Sequence, residues 1–326
     1  MKSDNMTKLI VMIPALNEEE SIATVIKAIQ KIRIKGINKI QILVMDDGST
    51  DNTAKIAKKL GAVVSSSKIN QGLGITFKNG IEKALELGAD IIAQIDADNQ
   101  FDANDIPRLV QPIIEGKAGM VSCSRFKDKN LVPKMPGIKK FGNNIFTFII
   151  SKLTGQKFTD TQCGFRAYSK EACLRLNLQG KFTYTQEVFL DLAFKNVPIQ
   201  EVACKVRGER EFGKSKIVKS WYSYGTKALM IILRSLRDYK PLLFFGLIGS
   251  FFFGIGAIML LWLFVRWLLI HQTSPFTSLI SASALLIIIG FILFVLALIA
   301  DMLGRQKKTQ EEILYQLKLK KYADNK

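Results

Sequence analysis

Asp96-Ala97-Asp98 closes an apolar run, Asp90 to Ile95, that reads as a buried strand. Two carboxylates separated by one residue at a strand end can offer oxygen ligands to a hard divalent cation, and such a cation can neutralise a diphosphate. The pattern is equally that of a capped turn. A second acidic segment, Asp46-Asp47-Gly48-Ser49-Thr50-Asp51, follows the apolar run Gln41 to Met45 and opens a helical pattern. Its carboxylates could accept hydrogen bonds from a base or ribose, while Ser49 or Thr50 could cap the following helix.

Both segments lie where short apolar runs alternate with amphipathic ones. Leu9 to Ile13, Gln41 to Met45, Ala62 to Ser65, Asp90 to Ile95 and Met120 to Ser124 predict strands. Between the first two, Ile22, Val25, Ile26 and Ile29 fall at helical spacing, with Asn17 as the expected N-cap and Glu20 three residues on. The alternation predicts an α/β domain with a Rossmann-like, mainly parallel sheet. Ligands of such sheets bind beyond the carboxyl ends of the strands. Attention therefore falls on Asn17, Asp46 to Asp51, Asn70 to Gly74 and Asp96 to Gln100.

The chain's 326 residues carry a formal net charge of +18, so an anionic partner is expected. Leu242 to Val265 and Phe276 to Ala300 contain no charge, and each exceeds the roughly 20 residues that cross a hydrocarbon core. They predict a transmembrane hairpin, with Arg266 and Trp267 anchoring at its far interface. Lys and Arg flank the other ends, which predicts a multi-pass cell-membrane protein with catalytic domain and termini in the cytoplasm. This placement explains much of the charge without nucleic acid. The apolar run Leu9 to Leu16 meets Pro14 and then Glu18-Glu19-Glu20, too short for a signal peptide. The expected organisation is a catalytic domain over 1–215, amphipathic interface helices over 216–240, two spans within 241–303 (about 242–266 and 276–301), and a basic tail helix over 304–326. That tail is expected along the membrane surface. Gly246, Gly249 and Gly254 could bring two copies together as a homo-oligomer. Cys123, Cys163, Cys173 and Cys204 are at least ten residues apart, so no Cys-x-x-Cys pair exists.

Taken in order, Ile13-Pro14-Ala15-Leu16-Asn17-Glu18-Glu19, Asp46 to Asp51, Asn70-Gln71-Gly72-Leu73-Gly74 and Asp96-Ala97-Asp98 resemble the inverting family 2 glycosyltransferases of the GT-A fold. Ser124-Arg125-Phe126, Asp160-Thr161-Gln162-Cys163-Gly164-Phe165-Arg166, Glu187 and Gly213-Lys214-Ser215-Lys216 look like the branch of polyprenyl-phosphate hexose synthases. The resemblance implies transfer of one hexose, glucose or mannose, from a UDP- or GDP-sugar to the phosphate of a membrane polyprenol, with Mg or Mn as cofactor. Carried over residue by residue, Pro14, Leu16, Asn17, Glu18, Asp47, Asp96 and Lys216 would bind the donor. Asp96, Asp98 and Gln100 would surround the cation. Arg125 would reach the acceptor phosphate, helped by Lys139, Lys140 and Ser215, with Asp160 and Arg166 beside the reacting centre. Leu16 stands where an aromatic residue is common in the family, which leaves the base open. Lys139 and Lys140 stand near where some members carry an arginine, so contacts there would be point charges and not bidentate forks.

The sole histidine, His271, falls in the far connector, out of reach of a cytosolic site. A phosphate monoester, with a second pKa near 6, is already largely a dianion at neutral pH and needs no base to attack an anomeric carbon. Two rivals remain. A processive polysaccharide synthase would usually carry a Gln-x-x-Arg-Trp motif, in which none of Trp221, Trp262 and Trp267 sits. A catalytically silent scaffold binding a nucleotide sugar would have no need of Asp96, Asp98 and Asp160 together.

Overall fold

The computed structural model describes residues 7–323 except 134, 136, 179–183, 208–225, 227–228, 231–232 and 235. The chain divides into two compact units, Met1–Ile232 with Leu314–Lys326, and Leu233–Ile313.

In the first unit seven strands form one sheet in the order β3-β2-β1-β4-β6-β5-β7. They are β1 (Lys8–Ala15), β2 (Lys39–Asp46), β3 (Val63–Ser66), β4 (Ile91–Gln94), β5 (Met120–Ser124), β6 (Arg166–Ser169) and β7 (Ile199–Ala203). The first five are the apolar runs expected from the sequence. Strands buried on both faces read as continuous hydrophobic runs, and Leu9 to Ile13 have no solvent exposure at all. The sheet is mostly parallel, and β6 alone runs antiparallel, between β4 and β5. Strand order reverses where β1 meets β4, which opens the crevice in which α/β sheets take ligands.

Among the described residues of this unit seven α-helices accompany the sheet: α1 (Ile22–Gln30), α2 (Thr53–Lys59), α3 (Leu73–Glu86), α4 (Ile106–Ile114), α5 (Gly137–Thr154), α6 (Lys170–Arg175) and α7 (Thr185–Phe194). Helix α1 buries Ile22, Val25, Ile26 and Ile29, the stripe expected, but it starts later than expected. Its N-cap is Ser21, not Asn17. Asn17 takes a left-handed conformation (φ 51°) and uses its side chain to bind another loop, so no capping box forms with Glu20.

The second unit is built on two helices, α8 (Pro241–Ile270) and α9 (Thr277–Lys321), both long and apolar enough to cross a membrane. Their buried faces are spaced by seven, Gly249, Gly256 and Leu263 on α8 and Ser283, Gly290 and Ala297 on α9. Small residues let the backbones approach: a Cβ on Gly256 would come within 2.8 Å of the Ser283 carbonyl oxygen, and one on Gly290 within 2.7 Å of the Phe253 amide nitrogen. Gly249, expected to serve association between copies, is occupied within the hairpin, since its Cβ would lie 3.1 Å from the Gly290 oxygen. At the connector, Arg266 donates to the Ser274 carbonyl (3.4 Å) and lies 4.9 Å from the Phe276 ring centroid. Most of the expected interface segment 216–240 lies outside the described residues.

The tail is helical, and its end packs within the first unit. Helix α9 continues unbroken through it, and from Leu314 onward the chain belongs to the catalytic unit. Tyr322 is 3 % exposed and joins the core of α3, α6 and α7, with Tyr315 and Leu319 packed alongside. Lys170 donates to the Tyr322 carbonyl (3.2 Å), Lys318 to that of Leu176 (2.7 Å), and the Arg175 guanidinium lies 4.2 Å from the Tyr315 centroid. Tyr322→Ala is expected to destabilise the catalytic unit by about 3 kcal/mol, read by denaturant unfolding of the detergent-solubilised chain. Unchanged stability would show the tail to be a passenger.

Candidate functional site

The motif residues converge at the carboxyl ends of β1, β2 and β4, and the loops that carry them are bound to one another. After β1, the Asn17 amide donates to Ser49 Oγ (2.9 Å), Asn17 Oδ1 accepts from the Thr50 amide (2.7 Å), and the Glu18 amide donates to Thr53 Oγ1 (2.8 Å). Glu19 Oε2 takes the amide of Asn52 (3.0 Å). Pro14 lies within β1 opposite Met45 of β2. After β2, both oxygens of the nearly buried Asp47 accept backbone amides of the next loop, from Gln71 at 2.8 Å and Gly72 at 3.0 Å. Asp47 therefore shapes the donor-side loop as well as facing it. Gly48 is required here: its φ is +80°, and a Cβ would come within 2.8 Å of the Ile69 backbone.

Asp96 and Asp98 follow β4. Asp98 is 5 % exposed, and its Oδ1 accepts from the Gln100 amide (3.2 Å). The Gln100 side-chain N–H points to the Arg207 carbonyl (3.4 Å), so only its amide oxygen could face a cation. Behind Asp96, Gln94 donates to the Tyr184 hydroxyl, and the Tyr184 ring stacks on Phe77 at 4.0 Å. Burial, reinforced by the charge of Asp96, holds the Tyr184 phenol well above its ordinary pKa, so it stays a protonated neutral neighbour of the carboxylate. Gly164 leaves room for this arrangement, because a Cβ there would sit 3.4 Å from both Asp96 oxygens and 3.2 Å from the Tyr184 hydroxyl.

Two carboxylates and an amide oxygen are hard donors and fit Mg or Mn. Among the described residues no three His, Cys, Asp or Glu form a metal group. The remaining positions around a cation would fall to water and diphosphate oxygens, as small hard cations prefer.

On the other side of β4, the 160s loop holds the second half of the site. Asp160 has no solvent exposure and pairs with Arg125, not with Arg166. Arg125 Nε donates to Oδ2 at 2.6 Å and an Nη to Oδ1 at 2.9 Å, a bidentate fork. Burial alone would lower the Arg125 pKa, but the charge and hydrogen bonds of Asp160 reverse it and hold the pKa above its ordinary value. Its side chain keeps 22 % of its surface exposed. Arg166, expected beside the reacting centre, is fully buried in β6 and donates to the carbonyls of Cys163, Thr161 and Thr185, with Phe189 4.7 Å below. These carbonyls take its Nε and one Nη, and the other Nη is buried without a hydrogen-bond partner among the described residues. Lys140 is exposed at the start of α5; the Lys139 side chain, Ser215 and Lys216 lie outside the described residues.

Three contributors went unread in the sequence. Glu201 on β7 is a lone carboxylate in an apolar strand, and its role emerges only in space. Gly164 is visible in the sequence, but its closeness to Asp96 is not. The face of α5 went unread as well, although Phe141, Ile145 and Phe148 recur at helical spacing; they are 64 %, 41 % and 67 % exposed, while Asn143, Thr147 and Ile150 turn inward.

A mostly parallel sheet with acidic motifs across its switch point defines a nucleotide-sugar transferase fold of GT-A type. Residues 10–176 match the family model for glycosyl transferase family 2, and the chain belongs to that family. It is 37 % identical over 214 residues to the UDP-N-acetylglucosamine–dolichyl-phosphate N-acetylglucosaminyltransferase of Methanococcus voltae, covering 60 % of this chain and 83 % of that one. It is 25 % identical over 311 residues to the undecaprenyl-phosphate 4-deoxy-4-formamido-L-arabinose transferase of Proteus mirabilis, covering 93 % and 90 %. Glucosyl-3-phosphoglycerate synthase from Mycobacterium tuberculosis, solved with Mn2+, UDP and glucosyl-3-phosphoglycerate, shares the fold with a TM-score of 0.55, 21 % identity, and coverage of 72 % of this chain and 80 % of that one.

Gly164→Ala would push its methyl group against Asp96 and Tyr184. It is expected to weaken Mn2+-dependent nucleotide binding about tenfold by titration calorimetry, as overpacking by 1–3 kcal/mol would do. Undiminished binding would remove Asp96 from the donor site.

Proposed function

We propose that this protein transfers a single hexose, with inversion, from a nucleotide diphosphate sugar to the phosphate of a membrane polyprenol. The named substrates of the Methanococcus voltae and Proteus mirabilis relatives support a polyprenyl-phosphate acceptor. One observation carries it to this chain. Arg125, fixed yet partly open, sits on the loop system that reaches α5 through Thr161 and Thr147 (3.1 Å between hydroxyls), and α5 presents Phe141, Ile145 and Phe148 outward. A cationic phosphate contact on a loop hydrogen-bonded to a helix that exposes apolar side chains suits a lipid phosphate better than a soluble acceptor.

On the donor side, Pro14, Leu16, Asn17, Glu18 and Asp47 would hold the nucleoside, and Asp96 and Asp98, with the Gln100 oxygen, would hold Mg or Mn. The bound cation would neutralise the leaving diphosphate. Arg125 would align the acceptor phosphate for in-line attack, assisted by Lys140 and by Lys139, Ser215 and Lys216. Asp160 spends both of its oxygens on Arg125, so its part would be to position that arginine. The dianionic phosphate supplies its own nucleophile, so positioning and charge neutralisation do the remaining work.

The experiment supplies radiolabelled UDP- or GDP-sugars (glucose, mannose, N-acetylglucosamine) with polyprenyl phosphate or free polyprenol. Label is expected on the phosphate alone and to require Mg2+ or Mn2+. Arg125→Ala should raise the acceptor KM roughly tenfold or more, as loss of a charged hydrogen-bond pair does, with donor binding little changed. Equal labelling of polyprenol would refute the acceptor.

A further inference from the structure

Beneath the Arg125–Asp160 pair lies a carboxylate that the proposed chemistry does not use. Glu201 sits on β7, whose parallel pairing with β5 sets it opposite Ser122, under the ends of both strands. Its Oε1 accepts the amides of Thr159 (3.0 Å) and Asp160 (2.9 Å), and its Oε2 accepts the Thr159 amide (2.8 Å) and hydroxyl (2.9 Å). The same Thr159 hydroxyl meets Ser124 Oγ at 2.6 Å, and Ser124 Oγ accepts the amides of Phe126 (3.2 Å) and Lys127 (3.1 Å). Lys127 closes the ring by donating to the Glu201 carbonyl. Both partners of the ion pair are thus fastened at their backbones, Asp160 directly and Arg125 between Ser124 and Phe126.

Four donor contacts on one side chain exceed what strand packing requires. Burial holds the Glu201 pKa above its ordinary value, and the hydrogen bonds from Asp160 and Thr159 offset that only in part. A half-buried carboxylate that spends both oxygens on one loop is a costly way to brace it unless the position of that loop matters.

We propose that Glu201 is a positioning residue for phosphate recognition: it holds the Thr159–Asp160 backbone so that Asp160 presents Arg125 in one orientation to the acceptor. The inference rests on the assignment of Arg125 to the acceptor phosphate. Glu201 touches no substrate and acts through Asp160.

The test uses the full-length protein in nanodiscs with Glu201→Gln, which keeps shape but sets an amide N–H against a backbone N–H, and Glu201→Ala, which removes all four acceptor contacts. Each is measured for acceptor KM, for Mn2+-dependent nucleotide binding and in combination with Asp160→Asn. Glu201→Gln is expected to raise the acceptor KM roughly tenfold with nucleotide affinity unchanged, the size of a lost charged hydrogen bond. Added to Asp160→Asn it should change little further, because residues acting through one path are not additive. An unchanged acceptor KM, an equal loss of nucleotide affinity, or full additivity with Asp160→Asn would each overturn the inference. Failure of the wild-type protein to label any polyprenyl phosphate would instead sink the acceptor assignment on which it stands. If Glu201→Ala does not fold, Glu201→Gln alone decides.

Discussion

A carboxylate with no solvent exposure keeps its charge only if something of opposite charge is fixed beside it. Asp160 meets that condition through the Arg125 fork, and the proposed acceptor half of the site is arranged around this pair. Glu201 and Ser124 hold its backbone from β7 and β5, and Gln162 donates its amide to Asp160 Oδ1 at 3.1 Å. The constraint also decides chemistry. A carboxylate that accepts two guanidinium N–H groups and two backbone amides is poorly suited to remove a proton, whereas an arginine so held has a defined open face for an anion. The two halves of the site meet at Gly164, which belongs to the Asp160 loop and lies against Asp96.

The donor half follows a different rule. Asp47, Asn17 and Glu19 spend oxygens on neighbouring loops, so the crevice is preorganised by hydrogen bonds between the ends of β1, β2 and β3. Such preorganisation lets a diphosphate bind without ordering three loops at once.

The sheet was legible because its parallel strands are continuous apolar runs, from Leu9 to Ile13 through Met120 to Ser124. The antiparallel β6 was not, since Arg166–Ser169 is four residues long and opens with an arginine, a residue seldom fully buried. Asn17 misled because asparagine serves as a cap and also tolerates left-handed backbone, and only the contact with Thr50 decides between them. The Arg125–Asp160 pair joins residues 35 apart, beyond any local periodicity, and Glu201 reaches Asp160 across 41. Tyr322 looked like one more residue of a basic tail, and its burial depends on a seat formed by α3, α6 and α7. The motifs marked the candidate carboxylates, and long-range pairing showed that Asp47 and Asp160 hold protein loops.

The central claim is that Asp160 holds Arg125 and does not act as a base. Turnover of Asp160→Asn at saturating polyprenyl phosphate, measured from pH 5 to 9, tests it most directly, within the range spanned by a phosphate monoester pKa near 6. The account predicts a raised acceptor KM but measurable turnover, rising with pH as the lipid phosphate loses its second proton. Turnover abolished at every pH, with folding and nucleotide binding intact, would make Asp160 an obligatory base and contradict it.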